Sequence, residues 1–220
     1  MVWGDDPVTK RALERSLQSI RQNHPELPVE ILHLDDDGPT KGLLNKSKML
    51  DMSPFRETLY LDADTVVLGS LDYGFRAAQK HGLACCICEC PWASRYTGVE
   101  GDIVEYNTGV LFFTERARNV FDEWGRLSTE IDSSTKFFDR KGNLLVMAHA
   151  DQASFAVAID RTEFVPFVLP LNWNFRPIWH RSVFGPIRIW HDYSDVHPLF
   201  YEMNRYYSKK DSIIHYHVLK

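Results

Sequence analysis

The chain has 220 residues, 44% of them hydrophobic and 25% charged, with a formal net charge of -5. That length can bury one sizeable core, and an acidic balance with scattered Lys and Arg argues against a nucleic-acid partner, which wants a basic surface. No stretch approaches the roughly 18 consecutive apolar residues of a membrane span, and the acidic N-terminal sequence lacks the basic and apolar regions of a secretory leader, so a single cytoplasmic domain over residues 1–220 is expected.

In chain order, Val2-Trp3-Gly4 reads as the end of a strand. Asp5 or Asp6 then caps a helix with Pro7 in its first turn and Ala12, Leu13, Leu17 and Ile20 at helical spacing, until His24-Pro25 stops it. Val29 to Leu34 is the next strand, Asp35-Asp36-Asp37-Gly38-Pro39 a polar loop, and Leu43 to Met52 a second helix ended by Pro54. Thr58 to Leu61 is a strand, Phe75 to His81 a helix, and Leu83 to Cys88 and Val110 to Phe113 are strands. Thr114 to Thr129 is an amphipathic helix with Ala117, Val120, Phe121 and Trp124 on one face. Phe137 to Asn143 is a loop and Ala150 to Ile159 a helix. Short strands follow at Phe164 to Leu169 and Ile187 to Trp190, on either side of an aromatic-rich loop from Asn172 to Phe184. Tyr201, Arg205, Tyr206, Tyr207, Lys209 and Lys210 read as a solvated terminal helix, with weak peripheral contact to a membrane surface as the alternative. Strands alternating with crossover helices imply a mostly parallel, doubly wound sheet that binds ligands outside the carboxyl ends of its strands.

The cysteines fall together as Cys85, Cys86, Cys88 and Cys90. In a strand, Cys86, Cys88 and Cys90 point one way and Cys85 the other, so four thiolates do not converge as tetrahedral zinc requires. Buried free thiols in a reducing compartment are the reading that follows.

Within Leu59-Tyr60-Leu61-Asp62-Ala63-Asp64-Thr65-Val66-Val67-Leu68, two carboxylates one residue apart interrupt an apolar, β-branched run. An ionised carboxylate is costly to bury without a cation, and oxygen donors suit hard divalent ions. Asp62 and Asp64 therefore point to Mg2+ or Mn2+ beside a phosphate, with a turn capped by Asp62 as the alternative. Neither a glycine-rich dinucleotide fingerprint nor a P-loop occurs, so any phosphate must be gripped by metal and side chains. Asn107, just before Gly109 and a buried strand, can hydrogen-bond a ligand hydroxyl or close an Asx-turn. Asp151, followed by Gln152, opens a helix and can equally cap it. His191 ends an apolar strand, where imidazole serves either as a metal ligand or as a structural side chain.

Together these pieces resemble the nucleotide-sugar-dependent glycosyltransferases of the GT-A fold, and within them the glycogenin-like family 8 group. The resemblance is carried by Tyr60 to Leu68, similar to the family's YLDADTLVL strand and metal motif, with Gly69-Ser70-Leu71 after it. Asn107-Thr108-Gly109-Val110-Leu111, Asp151-Gln152 and the spacing from Phe184-Gly185 to His191 complete it. It implies an α/β, Rossmann-like GT-A fold with a mostly parallel central sheet flanked by helices. Residues 1–106 would form a nucleotide- and metal-binding half and residues 107–220 an acceptor and catalytic half. Asp62, Asp64 and His191 would hold Mn2+ or Mg2+ against the diphosphate of a UDP-linked donor, with Lys46, Asp62, Ala63, Asp64 and Asn107 in contact with that donor. Asp151 and Gln152 would orient the transferred hexose, and the product would retain the anomeric configuration. Asp151 is the one candidate nucleophile for a double displacement; a front-face route needs none.

Lys48 competes with Lys46, because two residues apart on a helix they cannot share a face. The first strand is very short for the family, which leaves uridine recognition the least supported part of the donor assignment. The family's H-x-x-G-x-x-K-P-W ending is absent after His191, so no diphosphate-clamping lysine is identified, and His215 and His217 stand as rival ligands. A saccharide or glycosylated acceptor is expected, with Trp92, Arg95, Tyr96, Trp173, Phe175, Trp179 and His180 as candidate stacking or packing residues. The competing functions are a sugar-phosphate nucleotidyltransferase, which wants a glycine-rich basic loop where Asp5-Asp6-Pro7 stands, and a catalytically silent sugar-binding relative.

Overall fold

The computed structural model describes residues 6–34, 39–138, 141–207 and 216–218. The strand end expected at Val2-Trp3-Gly4 lies outside these residues. Asp6 caps the first helix, α1 (Pro7–Asn23), by accepting the Thr9 amide at 2.8 Å, and Pro7 sits in the first turn, where its missing N–H leaves no partner wanting. Residues 29–34, expected as a strand, form none, carrying only an isolated bridge at His33. Val29 is 45% exposed, and no described strand lies alongside to complete a ladder.

The second helix starts earlier than expected and is broken into α2 (Pro39–Asn45), a 3-10 turn (Lys46–Lys48) and α3 (Met49–Met52). The tighter turn carries both Lys46 and Ser47 inward, and Ser47 Oγ donates to the Leu44 carbonyl at 2.9 Å. Further on come α4 (Asp72–His81), α5 (Arg118–Glu130), α6 (Asp151–Arg161) and α7 (Pro198–Tyr207). The strands are β1 (Glu57–Leu61), β2 (Thr65–Val67), β3 (Leu83–Ile87), β4 (Tyr106–Thr114), β5 (Thr135–Phe138), β6 (Leu144–Met147), β7 (Phe167–Val168), β8 (Ser182–Phe184), β9 (Ile189–His191) and β10 (Tyr216–Val218).

The central sheet has the order β1-β4-β3-β7. β1, β3 and β7 share one direction, and β4 inserts between β1 and β3 against it. The crossover through α4 keeps β1 and β3 parallel, whereas the chain returns from β3 to β4 with no crossover helix, and such a return makes neighbours antiparallel. One antiparallel strand thus interrupts the expected parallel set. β4 also begins four residues before the expected strand, so Asn107, Thr108 and Gly109 belong to it. Its register against β3 jumps from Cys85↔Leu111 to Cys86↔Asn107, a bulge that frees the backbone around Thr108 and Gly109 from the β3 ladder.

Helices cover both faces of the sheet. Leu83, Cys85, Leu111 and Phe113 pack with Val120, Phe121, Trp124 and Leu127 of α5 and Phe155 and Ile159 of α6. On the opposite face Ala84, Cys86, Val110 and Phe112 meet Ala77 and Ala78 of α4 and Ile20 of α1. The period-two alternation of strand side chains alone puts these residues on opposite faces. A smaller core joins Val66 and Trp190, from the β2–β9 ribbon, to Phe175 and to Phe200 and Met203 of α7.

Three expectations fail locally. The loop over 137–143 is partly a hairpin, β5 with β6, whose Phe138 and Val146 are 71% and 65% exposed; with those side chains outside any core, no buried-face pattern marked it. The strand over 164–169 shortens to β7, and β8 lies within the aromatic-rich loop, paired with β10. α7 presents Tyr201 and Tyr206 to solvent, while Lys209 and Lys210 lie outside the described residues. No described helix is long and apolar enough to cross a membrane.

Candidate active site

β1 ends at Leu61, and the chain turns through Asp62-Ala63-Asp64 into β2. Thr65 holds that turn, its amide and hydroxyl both donating to the Asp62 carbonyl at 3.2 and 2.8 Å, while the Asp62 amide donates to Gly109 O at 2.9 Å. β2 pairs with β9 in the register Thr65↔His191, and the Asp192 amide donates to the Asp64 carbonyl at 3.0 Å. Ladder geometry thereby puts His191 beside two carboxylates more than a hundred residues away. Its Nε2 lies 3.4 Å from Asp64 Oδ1 and 3.8 Å from Asp62 Oδ2. One ligand atom from each of Asp62, Asp64 and His191 falls within 4.8 Å of the others, the one such group of three among the described residues.

This donor set fits a hard divalent ion. An ion held at about 2.1 Å by each donor would separate adjacent donors by roughly 3 Å and opposite ones by roughly 4 Å. The backbone leaves room for it only because residue 109 is glycine: a Cβ there would stand 2.3 Å from His191 Cε1 and 2.6 Å from Asp62 Oδ2.

A chain of side-chain amides runs away from His191. The Gly109 amide donates to Asn107 Oδ1 at 2.9 Å, and a backbone N–H can only donate, so the orientation of Asn107 follows. Asn174 Nδ2 donates to the same oxygen at 2.7 Å, which turns Asn174 Oδ1 toward His191 Nδ1, also at 2.7 Å. His191 must donate from Nδ1, and its Nε2 is the ring nitrogen that faces the carboxylates. In the other direction Asn107 Nδ2 donates to Gln152 Oε1 at 2.8 Å, and Gln152 Nε2 reaches Cys88 Sγ at 3.3 Å and Glu105 Oε1 at 3.5 Å. Asn174 and Glu105, both almost fully buried, were missed in the sequence. Asn174 lies seventeen residues before its partner in an aromatic loop, and Glu105 is an acid in a stretch with no strand pattern. Burial pushes the Glu105 carboxyl up to about 7, against the opposing hydrogen bond from the Ala93 amide.

Lys46 rather than Lys48 points inward. Its ammonium lies 2.9 Å from Asp62 Oδ1 and 3.3 Å from Asp151 Oδ2, while Lys48 is exposed and bonds Asn45. Burial favours loss of the Lys46 proton, but Asp151 and Asp62 together outweigh it and hold the group well above its ordinary value. At Asp62 burial acts upward, and Lys46 and His191 overcome it, leaving the carboxyl below its ordinary value. Tyr60 Oη adds a donated bond to Asp62 Oδ1 at 2.7 Å. Asp151 does not cap α6: Ala150 is the cap residue, and the Asp151 carboxylate accepts instead from Thr108 Oγ1 at 2.5 Å.

Ala63, in the turn, borders a cavity of about 350 Å³ between α1, residues 27–32 and the outer edge of β1, walled by Leu13, Leu17, Leu59 and Leu61. Of the rival ligands, His215 is outside the described residues and the backbone of His217 pairs with Val183 in the β8–β10 ribbon. Several candidate stacking residues turn out to be packing residues. Tyr96, Trp173 and Phe175 are 6%, 5% and 1% exposed, and His180 is buried against Glu89 at 2.7 Å. Trp179 is 43% exposed, and half-buried Trp92 stacks near Phe137 with the Arg95 guanidinium over its ring.

No protein-family model and no curated relative matches the sequence. Solved structures do match in shape. An active-site mutant of LgtC superposes with a TM-score of 0.54 at 14% identity, covering 89% of this chain and 87% of that one. The galactosyltransferase LgtC in complex with donor and acceptor sugar analogues gives 0.53 at 14% identity over 96% of both chains. The bifunctional glycosyltransferase WbbM in its apo form gives 0.55 at 9% identity, this chain spanning 49% of its length. These neighbours are GT-A glycosyltransferases, and the α/β fold, a central sheet flanked by helices, is the GT-A fold.

Proposed function

We propose that this chain is a metal-dependent glycosyltransferase that moves a hexose from a UDP-linked donor to a hydroxyl of a saccharide or glycosylated acceptor, with retention. The observation that supports this reading most is the meeting of Asp62, Asp64 and His191 at the carboxyl end of β1. GT-A-fold neighbours, one of them solved with donor and acceptor sugar analogues, support it further.

In this reading Asp62, Asp64 and His191 hold Mn2+ or Mg2+, which supplies Lewis-acid stabilisation of the charge developing on the departing diphosphate. Lys46 keeps Asp62 ionised, pairs with Asp151 and contributes positive charge on the donor side. Asn107, Asp151 and Gln152 orient the sugar, and Ala63 packs at the edge of the apolar cavity whose walls suit a nucleobase. Thr108 and Lys46 both engage Asp151 Oδ2, an arrangement better suited to holding a sugar hydroxyl than to displacing a leaving group. Retention then proceeds by the front-face route, where positioning donor and acceptor supplies much of the rate. Residues 1–106 bring the acidic turn and Lys46, and residues 107–220 bring the sugar-orienting groups and His191, so the donor site draws on both halves. Four free thiols favour a reducing, cytoplasmic setting.

A thermal-shift series of nucleotide sugars with and without Mn2+ tests the reading. A UDP-hexose should raise the melting temperature only with the metal, because a ligand of the native state alone stabilises it. Asp62→Asn with Asp64→Asn should remove that rise, and donor hydrolysis with it. Equal stabilisation with and without metal, or metal-dependent binding with no hydrolysis or transfer, would overturn the enzyme reading; inversion in an anomeric assay by NMR would remove retention.

A further inference from the structure

Beyond β3 the chain bends sharply at residues 89 and 90, and this brings Cys88 Sγ to 3.8 Å from Cys90 Sγ. The two sulfurs have different surroundings. Trp92 Nε1, which can only donate, points its N–H at Cys90 Sγ at 3.2 Å. The Arg176 guanidinium, anchored on Glu89 at 3.1 Å, is nearby. Cys88 is buried, receives the Gln152 side-chain amide at 3.3 Å, and turns its S–H toward Cys90, whose carbonyl oxygen lies at 3.4 Å and Sγ at 3.8 Å. Cys90 is partly exposed. The Cys88 hydrogen bond, followed by the Trp92 N–H and Arg176, outweighs burial and brings the Cys90 thiol down to about 6, whereas burial drives Cys85 and Cys86 up.

We propose that Cys88 and Cys90 are a reversible dithiol site for peroxides, with Cys90 as the attacking sulfur and Cys88 as the resolving one. The Cys90 thiolate attacks one peroxide oxygen, forming an S–O bond as the O–O bond breaks, and the departing hydroxide takes a proton from solvent. Cys88 Sγ then attacks Cys90 Sγ, its proton leaving with the displaced hydroxyl as water. Two thiols are oxidised to one disulfide while one peroxide is reduced to two waters. Closing the bond requires the two sulfurs to approach from 3.8 Å to about 2.05 Å, which displaces the Cys88 Sγ that accepts from Gln152 and disturbs one end of the amide chain that runs to His191. That consequence for transfer rests on the role proposed above for Gln152. The bond itself does not, so it is tested without any activity.

The full chain is treated with hydrogen peroxide and digested. The peptide holding both residues should lose two mass units and regain them with dithiothreitol, and before oxidation Cys90 should react with iodoacetamide at pH 7 at least about tenfold faster than Cys85 or Cys86. Cys88→Ser should leave a Cys90 sulfenic acid that dimedone traps, and Cys90→Ser should abolish both the disulfide and the dimedone adduct. A wild-type peptide that keeps two thiols or passes directly to sulfinic acid, or faster alkylation at Cys85 or Cys86, would overturn the proposal. If the bond forms and donor binding is unaltered, the dithiol site stands and the proposed placement of Gln152 falls.

Discussion

Asn174 Oδ1 lies 2.7 Å from His191 Nδ1, and through the opposite end of the same amide Asn174 grips Asn107. One buried side chain therefore fixes both the imidazole tautomer and the asparagine nearest the glycine of β4. Partners of this kind typically change metal affinity about 10- to 100-fold when lost. Asn174→Leu should weaken Mn2+ binding by that factor in a titration followed by electron paramagnetic resonance. Asn174→Asp keeps an acceptor for Nδ1 and should retain most of the affinity; equal losses in the two variants would remove the tautomer argument.

Lys46 is buried between two acids, so Lys46→Met leaves Asp62 and Asp151 facing one another without a cation. The metal-free protein should lose roughly 3 kcal/mol in urea unfolding, the scale for breaking a buried pair. The sign of the pH dependence follows from Asp62, whose carboxyl is held below its ordinary value. Its contribution is complete above the unfolded value of about 3.9 and fades as the pH falls through the folded one. The gap between wild type and Lys46→Met should therefore narrow from pH 6 to pH 3, and a gap that widens would contradict the assignment.

Gly109→Ala places a methyl group 2.3 Å from His191 Cε1. β4 is held here from the β1 side, where Leu61 pairs with Val110 and the Asp62 amide bonds the Gly109 carbonyl, so the imidazole and the Asp62 carboxylate must yield. Mn2+ binding should fall at least about tenfold while the far-ultraviolet circular dichroism spectrum keeps its native shape. Unchanged Mn2+ binding would mean that the ion, if held, is held elsewhere.

Glu105 titrates near neutrality because it is buried, its folded value standing at about 7. A carboxyl raised on folding takes up a proton in the native state, so stability is greatest below the unfolded value of about 4.3 and declines as pH rises toward 7. Glu105→Gln keeps an oxygen for the Ala93 amide and should flatten the melting temperature across that interval. A wild-type curve already flat there would show the acid to be ionised throughout.

Asp151→Asn preserves shape while removing a charge that Lys46 and Thr108 both address. In the proposed reaction it should lower kcat about 10²-fold, the scale of a misplaced reacting group, with Mn2+ affinity little changed. A parallel loss of metal binding would assign Asp151 to the ion instead of the sugar.

What the sequence determined is local. The acid-interrupted strand, the Asp6-Pro7 start of α1, the alternation that sends Cys85 and Cys86 to opposite faces, and the long apolar face of α5 are each encoded within a few residues, where hydrophobic period and cap chemistry act. What tertiary structure decided is register and direction. Whether His191 meets Asp62 and Asp64 depends on how β2 pairs with β9, and a slip of one residue would turn the imidazole to the opposite face. The antiparallel insertion of β4 and the roles of Asn174 and Glu105 were equally unreadable, and Lys46 stood out from Lys48 only through the family resemblance, because a buried polar residue acquires meaning only from the distant group that completes its hydrogen bonds.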